Sequence, residues 1–367
     1  MKKKKIYKVI GIMTGTSMDG IDISFCSTDG LKKIKIIHEK SYSFSLTYQL
    51  FIKKIKIKNK KAKRLIEQND LKISKIIISY LNKFLREFGI TNKNVDFISL
   101  SGQTILHIPS EKFTLQLGNP KLISKYFKLN VISDFRIKDI LNGGQGAPIG
   151  AYYHKLLIQK INPKSVIVNL GGVANFSLIS KNKFISSDIG PANAISDDLM
   201  FYFFKKKFDK DGKLASLGNK DNKIIDLYKK NFFFKKKFPK SLDRNNFYYI
   251  FDRLKKLKPY DAINTSVNLT IYSILNLVNH KICSDINEII FTGGGRKNKY
   301  LVNTLRGLKK DLKFSIIDDY ELNGDLIEAQ MFAYIGVRSI KKLILSSPNT
   351  TGVRKSLTGG KLYKFNF

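Results

Sequence analysis

A short glycine-rich stretch between two apolar runs, residues 11–22, most constrains how this chain can fold. It reads Gly-Ile-Met-Thr-Gly-Thr-Ser-Met-Asp-Gly-Ile-Asp. The flanking runs, residues 6–13 and 21–25, have the length and the apolar character of strands. The stretch is therefore predicted to join two adjacent strands as a hairpin.

The residues of this first loop suit a cluster of anionic oxygens. Gly15 and Gly20 can adopt positive φ and expose backbone N–H groups, and three hydroxyls, those of Thr14, Thr16 and Ser17, add donors. We interpret the loop as a phosphate-binding hairpin. The alternative is an ordinary turn rich in Gly, Thr and Ser.

The same design recurs half a chain away. Residues 165–170 form an apolar run, Gly171 and Gly172 follow it, and a second apolar run begins at Phe176. A repeated strand, glycine turn and strand predicts two similar lobes, each of which offers one loop to a nucleotide between them.

Two further features complete the predicted nucleotide site. Asp19 in the first loop could hold Mg²⁺ through water. A third glycine cluster follows a predicted buried strand at 288–292 and lets a flat ring approach the backbone: Gly293, Gly294 and Gly295. None of the three clusters is a P-loop or a Gly-x-Gly-x-x-Gly fingerprint, so the argument depends on their ordered combination.

Length and composition limit the class of protein. A chain of 367 residues with 43% hydrophobic residues is expected to form two domains. No uninterrupted apolar segment reaches about 18 residues, and the lysine-rich start leads directly into the first strand, so we expect a cytoplasmic protein without a membrane partner. Cys26 and Cys283 are too far apart for a metal pair and are predicted to be small buried residues.

The formal charge of +37 suggests a nucleic-acid partner, but the distribution of the charge argues against one. Only nine of the 66 basic residues are Arg, and lysines occur in nearly every segment. We interpret this as a bias of composition, with the lysine runs as solvated surfaces. A nucleic-acid-binding module remains the third hypothesis.

Between the glycine loops the pattern alternates strands and helices. A helix is predicted over residues 62–88, with Gly89 as its stop, and a strand over 95–100. Strand, helix and strand form an α/β unit with a partly parallel sheet. Further strands are predicted at 33–37, 114–117, 130–132 and 183–186, and helices at 264–280 and 325–343; residues 201–251 cannot be assigned.

Two places are candidates for chemistry on a substrate. Residues 139–148, rich in glycine, are predicted to form a loop that is a substrate wall and a junction between lobes. Asp188 follows a predicted strand and precedes a glycine turn and a helix from Ala194, which is a favoured position for a catalytic carboxylate. The alternative is that Asp188 is a turn or helix-cap residue.

Taken together, these motifs resemble the anhydro-N-acetylmuramic acid kinases of bacterial cell-wall recycling. The matching stretches begin at residue 11 and end at 352, in the family's order: 11–22, 101–109, 114–120, 134–148, 169–176, 188–193, 211–212, 293–298, 328–329 and 351–352. The resemblance implies the two-lobed α/β fold of actin-like sugar kinases, a duplicated ribonuclease H-like fold with a central nucleotide cleft. It also implies lobe I at 1–128 joined by 340–367, and lobe II at 129–339.

The resemblance further implies a reaction and a set of roles. ATP, with Mg²⁺, phosphorylates O6 of 1,6-anhydro-N-acetylmuramic acid while water opens the anhydro ring, which gives N-acetylmuramate 6-phosphate. Asp188 is then the general base, Arg136 binds the lactyl carboxylate, and Glu328 and Gln103 bind the sugar. The first phosphate loop carries over as Gly15, Thr16, Ser17, Met18, Asp19, Gly20, Ile21 and Asp22, with Asp19 as the metal ligand.

The chain departs from the family pattern at three positions. Ser101 stands for a usual His and Ile189 for a usual Thr, which could alter the polarity of the site. Asp243 stands for a usual Gly before Arg244. Two histidines, His107 and His154, are interpreted as structural.

The main competing hypothesis is an actin-like ATPase or chaperone-type switch that closes on a protein partner. Such a switch shares the loops and the lobes but has no use for Asp188 or Arg136 on the substrate side. The sequence leaves the oligomeric state, monomer or homodimer, open.

Overall fold

The computed structural model describes residues 5–15, 18, 20–55, 62–242 and 247–365. Five positions singled out above lie outside the described residues: Thr16, Ser17, Asp19, Asp243 and Arg244.

The strands are numbered along the chain. They are β1 (Tyr7–Met13), β2 (Gly20–Thr28), β3 (Ile34–Ser43), β4 (Phe97–Leu100), β5 (Gln103–Ile108), β6 (Phe113–Leu117), β7 (Val131–Ser133), β8 (Ser165–Leu170), β9 (Val173–Ser180), β10 (Lys183–Pro191), β11 (Glu288–Thr292), β12 (Lys313–Ile316) and β13 (Lys361–Tyr363).

The α-helices alternate with these strands. They are α1 (Leu46–Lys53), α2 (Lys63–Glu87), α3 (Pro120–Phe127), α4 (Ile137–Leu141), α5 (Ala151–Ile161), α6 (Asn193–Phe204), α7 (Asn222–Lys229), α8 (Tyr248–Leu254), α9 (Pro259–Val278), α10 (Lys299–Leu308) and α11 (Ile327–Ile340). Among the residues that the structure describes, no helix is long and apolar enough to cross a membrane.

The chain divides into two compact units, Met1–Leu156 with Asp325–Phe367, and Leu157–Gly324. These bounds differ from the expected lobes, 1–128 with 340–367 and 129–339. The segment after 128 stays with the first unit because β7 pairs with β4 in its sheet. The segment before 340 does so because α11 packs on β1 and β2.

The sheet of the first unit has the order β13-β7-β4-β1-β2-β3. Strands β1, β2 and β3 are antiparallel neighbours, whereas β4 and β7 continue the sheet parallel to β1. The hairpin β1–β2 is the one predicted around the first glycine loop. Helix α2, between β3 and β4, buries residues such as Ile77, Leu81 and Phe84 in the core of this unit.

The sheet of the second unit repeats this plan. Its order is β10-β9-β8-β11-β12, with β8, β9 and β10 antiparallel and β11 and β12 parallel to β8. An antiparallel meander followed by two parallel strands therefore occurs twice. The predicted duplicated α/β fold is confirmed.

Glycine permits one close approach that shapes the first unit. A Cβ on Gly11 in β1 would lie 2.1 Å from the Ala329 carbonyl oxygen and 2.5 Å from the Ala333 backbone nitrogen of α11. Helix α11 therefore contacts the strand with its backbone, and only glycine fits at residue 11.

Several local predictions can be compared with these elements. The strands expected at 165–170 and 288–292 have those bounds, and the helix expected over 62–88 is present as α2, with Gly89 at φ 61° beyond it. Cys26 and Cys283 are buried, as predicted. The unassigned interval after 201 contains α7 and α8, and some of its aromatic residues, such as Tyr228, Phe233 and Phe247, pack in the core of the second unit.

Candidate active site

In the first unit, the glycine loop after β1 is held by two polar residues that follow β4. The Thr14 N–H donates to Ser101 Oγ over 3.1 Å, and Gln103 Nε2 donates to the Gly15 carbonyl over 3.0 Å. Within the loop, the Met18 N–H also donates to the Gly15 carbonyl, over 3.1 Å. Ser101, a departure from the family pattern, thus contacts the loop directly.

Backbone geometry refines the predicted roles of the loop residues. The positive φ found in the described part of the loop belongs to Met18, at 57°. Gly20 serves a close approach instead, because a Cβ there would lie 2.7 Å from the Tyr42 carbonyl oxygen of β3. Ile21 is fully buried, so its side chain belongs to the core, and Asp22 lies opposite Met13 in the β1–β2 ladder.

Two buried polar atoms beside this loop have no hydrogen-bond partner within the described chain. They are Thr14 Oγ1 and Gln103 Oε1, on residues that are 3% and 1% exposed. Leaving such an atom unpaired is costly, so these atoms suggest a ligand with matching groups. Sequence reasoning assigned the Gln103 side chain to the sugar but did not identify Thr14 as a substrate contact.

A cavity of about 390 Å³, counted with the space open to solvent, is lined by Thr14 and by Gly102 and Thr104, the chain neighbours of Gln103. Polar and apolar groups share its wall: Met13, Thr14, Ser101, Gly102, Thr104, Gln116, Phe135, Arg136, Ile149 and Phe332.

Arg136 lines this cavity at the start of α4. Its Nη1 donates to the Gly146 carbonyl over 2.5 Å, so one nitrogen of the guanidinium is used on the glycine-rich loop 143–146. Glu328, in the first turn of α11, is exposed. The surrounding protein raises the pKa of the Glu328 carboxyl by desolvation, and the positive charge of Arg136 opposes that shift. The structure thus brings two predicted sugar ligands into electrostatic contact.

A buried carboxylate that was not predicted, Asp139, organises loop 143–146. Its Oδ1 accepts the Gly146 N–H over 2.6 Å, and its Oδ2 accepts the Thr351 hydroxyl over 2.5 Å. A Cβ on Gly144 would lie 2.2 Å from Asp139 Oδ1. The signal available in the sequence was the presence of Asp139 and Thr351 in the motifs at 134–148 and 351–352.

Both histidines discussed above have structural surroundings. His107 Nε2 donates to the Gln145 carbonyl over 3.0 Å and Nδ1 accepts from the Thr114 hydroxyl over 3.0 Å, a tautomer inferred from these partners. Burial and Arg136 lower the pKa of His107. Burial also lowers the pKa of His154 to about 4, which keeps it neutral. These surroundings support the structural interpretation.

In the second unit, the two remaining glycine clusters lie together. The Asn193 N–H at the start of α6 donates to the Gly171 carbonyl over 3.0 Å, and Asn193 Nδ2 donates to the Leu170 carbonyl over 2.9 Å. A Cβ on Gly295 would lie 2.7 Å from Asn193 Oδ1 and 2.7 Å from Leu170 Cβ. Asn193 thus connects the turn after β8 to the turn after β11, a role that the sequence did not reveal.

One glycine in each of these two turns has open space around its backbone. The nearest atom to a Cβ on Gly172 would be 3.6 Å away, and on Gly294 3.9 Å away, and both residues are exposed. Neither residue has positive φ, so neither protein packing nor backbone conformation requires glycine there. This open backbone next to the N-terminus of α6 fits the phosphates and the ring of a nucleotide.

Asp188 lies in β10, at a bulge between Asp188 and Gly190. Its Oδ2 accepts the Leu242 N–H over 2.8 Å. Burial raises the pKa of the Asp188 carboxyl to about 7, and the Leu242 bond opposes the shift. A carboxyl with that pKa can exchange a proton near neutral pH, which suits a general base.

Ile189 is the extra residue of this bulge and has no partner in the β9–β10 ladder. Ile189 is 2% exposed and packs in the core of the second unit, so it does not set the polarity of the site. Within the described chain, no group of three or more His, Cys, Asp or Glu residues could hold a metal ion.

Comparison with known proteins agrees with these motifs. The family model described as anhydro-N-acetylmuramic acid kinase matches residues 7–365. Proteins named anhydro-N-acetylmuramic acid kinase from Pelagibacter ubique (strain HTCC1062) and Rhodopseudomonas palustris (strain ATCC BAA-98 / CGA009) are 36% and 33% identical, over 98% and 96% of this chain and 99% and 98% of their own lengths. One from Zymomonas mobilis is 32% identical over 96% of this chain and 99% of its own. The resemblance inferred from the motifs is confirmed, and the chain belongs to the anhydro-N-acetylmuramic acid kinase family.

Proposed function

We propose that this chain transfers a phosphoryl group from ATP to O6 of 1,6-anhydro-N-acetylmuramic acid while water opens the anhydro ring. The product is N-acetylmuramate 6-phosphate, an intermediate of peptidoglycan recycling. Family membership supports this reaction, and it does not favour a switch that closes on a protein partner.

The observation that carries the mechanism is the state of Asp188. Its carboxyl has a pKa of about 7, so it is partly ionised at neutral pH and can accept a proton from the water that attacks C1. An inverting glycosidase uses a carboxylate base in the same way. Because O6 leaves onto phosphorus, the reaction needs no second carboxylic acid to protonate it.

Arg136 and Glu328 are proposed to orient the sugar. The guanidinium of Arg136 offers paired donors to the lactyl carboxylate, a geometry that a lysine ammonium lacks. Glu328 is exposed, so its carboxyl oxygens are accessible to hydroxyls of the sugar. The unpaired Thr14 Oγ1 and Gln103 Oε1 are proposed to complete the polar contacts.

The glycine turns are proposed to bind ATP. Gly171, Gly172 and the N-terminus of α6 offer backbone N–H groups to phosphate oxygens, and Gly293, Gly294 and Gly295 accommodate the nucleoside. A bound Mg²⁺ would neutralise charge on the phosphates, and Asp19, with Gly15 and Met18 of the first loop, is proposed to hold it.

Mass spectrometry of the product tests the proposal directly. With ATP, Mg²⁺ and the anhydro sugar in ¹⁸O-water, we expect a product that has gained both a phosphoryl group and one water. The heavy oxygen should be at C1 and absent from the phosphate. Label in the phosphate would contradict attack at C1, and ADP release that ignores the sugar would support the ATPase switch instead.

A further inference from the structure

A segment distant in sequence runs beside the proposed base. The Lys240 carbonyl accepts the Asp188 N–H over 3.0 Å and the Ser187 hydroxyl over 2.9 Å. The Ser187 oxygen in turn accepts the Lys240 N–H over 2.8 Å, and the Leu242 N–H reaches the Asp188 carboxylate. The backbone of residues 240–242 is therefore attached to both Ser187 and Asp188.

The side chain of Lys240 anchors this segment in an unusual way. Lys240 is 9% exposed, and its Nζ donates to the Phe233 carbonyl over 2.9 Å. The same nitrogen lies 4.3 Å from the centre of the Phe233 ring and 4.9 Å from that of Phe238. Within the described chain, no carboxylate forms an ion pair with it. A buried ammonium is unfavourable without compensation, and here one carbonyl and three ring faces, the third that of Phe234 at 5.8 Å, supply it.

The rings around Lys240 are fixed to the sheet that carries Asp188. Phe238 packs edge-on against Phe176, with ring centres 5.0 Å apart, and Phe176 lies opposite Ser187 in the β9–β10 ladder. The anchor and the proposed base thus share one rigid support.

We propose that Lys240 is a positioning residue for Asp188: its ammonium, held between Phe233 and Phe238, fixes the segment whose Leu242 N–H donates to the carboxylate. This inference rests on the proposed role of Asp188 as the base. It assigns Lys240 no contact with the substrate.

If Lys240 positions Asp188, loss of its ammonium should change the pKa of the Asp188 carboxyl. The Leu242 bond favours the charged form of Asp188 and so lowers a pKa that burial has raised. If the segment loosens, the pKa of Asp188 should rise further. An anchor that serves only stability would leave that pKa unchanged.

Two other titratable groups, Lys236 and His280, lie near Lys240. Burial and the charge of Lys236 lower the pKa of Lys240 to about 8. His280 packs against Phe238, with ring centres 5.2 Å apart, and its pKa is lowered by burial and by the charges of Lys281 and Lys240. In the wild type, the Asp188 titration is read between about pH 5.5 and about pH 7.5, where Lys240 is mostly charged; Lys240→Met has no ammonium at residue 240, so its titration extends to about pH 9.

The test compares Lys240→Met with Lys236→Met in the full chain. Methionine keeps an unbranched stem and removes the charge. Lys236 is exposed, carries the same charge and lies 5.9 Å from the ring of Phe232, and it has no hydrogen bond to Ser187 or Asp188, so it is the matched control. The readout is ¹³C NMR of labelled aspartate carboxyls without substrate, with the Asp188 signal assigned by its loss in Asp188→Asn.

We expect Lys240→Met to raise the pKa of Asp188 by about one pH unit and to lower kcat/KM at neutral pH about fivefold. Lys236→Met should change neither, and Lys240→Arg, which keeps a cation that stacks on rings, should restore both. If Lys240→Met does not fold, Ser187→Ala removes the other attachment and should shift the pKa in the same direction. An unchanged Asp188 pKa in the folded variant overturns the proposal.

The NMR measurement also separates this inference from the proposed function. A wild-type protein that makes no phosphorylated sugar would refute the function while the effect of Lys240 on Asp188 is still measured. A normal product together with an unshifted Asp188 pKa would refute the positioning role alone.

Discussion

Replacing Asp188 by Asn is the most direct perturbation of the proposed chemistry. With a pKa of about 7, Asp188 is about one-tenth ionised near pH 6 and about nine-tenths ionised near pH 8. The wild-type kcat/KM should therefore rise about tenfold over that interval. Asparagine keeps the shape but cannot accept a proton, so kcat should fall about 10²- to 10⁴-fold and the acidic limb should disappear.

The assay is ADP release that depends on the anhydro sugar, followed across this pH range at several ATP concentrations. The KM for ATP should stay nearly constant, because Asp188 is not among the proposed nucleotide ligands. Asp226→Asn is the matched control, since Asp226 is an exposed carboxylate paired with Lys229 on α7. If Asp188→Asn keeps most of its rate, or retains the acidic limb, Asp188 is not the base.

Four further predictions follow from the site and the core. Arg136→Lys should raise the KM for the sugar by an amount equivalent to about 1.5–3 kcal/mol, and Arg86→Lys, at an exposed residue, is the control. A loss of stability with unchanged KM would mean that Arg136 only supports loop 143–146. Gln103→Leu removes a buried unpaired oxygen along with the hydrogen bond to the Gly15 carbonyl, so the melting temperature of the variant should change little. The KM for the sugar should rise about fivefold or more, and an unchanged KM would exclude Gln103 from the sugar site. The pKa of Asp188 is raised above an unfolded value of about 3.9, so its contribution to the free energy of unfolding is lost as pH rises from about 4 to about 7; denaturant titrations should show Asp188→Asn gaining stability relative to wild type at about pH 8 but not at about pH 4. Gly11→Ala should lower the free energy of unfolding by roughly 3 kcal/mol, whereas Gly307→Ala, with nothing within 4 Å of the new Cβ, should not lower it.

The hairpins and their repeat were predictable because their signals are local. An apolar run that ends in glycine and resumes a few residues later specifies both strands and the turn, as at β8 and β9. Strand β13 carries no such signal, since its three residues join the sheet only by pairing with β7, more than 200 residues earlier. The interval after 201 could not be assigned because it mixes exposed phenylalanines, such as Phe201 and Phe232, with buried ones, such as Phe233 and Phe247, which pack in a core formed with residues of α7, α8 and α9.

In the site, too, local features were predictable from the sequence and long-range contacts were not. Asp188 was identified from a predicted strand end and glycine turn, whereas the structure places it within β10, at a bulge. The N–H that holds its carboxylate comes from Leu242, 54 residues away, and the anchor on Lys240 depends on rings from two further positions. A local sequence pattern does not indicate such contacts, because they form only when residues 240–242 fold back along β10. The same holds for Asn193, which became a connecting residue only once two glycine turns were placed side by side.

The contact between Gly11 and α11 is expected to connect the stability of the first unit to the proposed sugar site. Ala329, whose carbonyl meets Gly11, directly follows Glu328 in the first turn of the helix. Any side chain at residue 11 must push that turn away from β1, and Glu328 moves with it. The charge of Arg136 acts on the Glu328 carboxyl. Displacing Glu328 should therefore weaken sugar binding as well as lower the free energy of unfolding. Gly11→Ala should therefore raise the KM for the sugar even at a temperature where the variant is fully folded. A folded variant with wild-type KM would show that Glu328 does not depend on the packing of α11 and that its role as a sugar ligand needs another support.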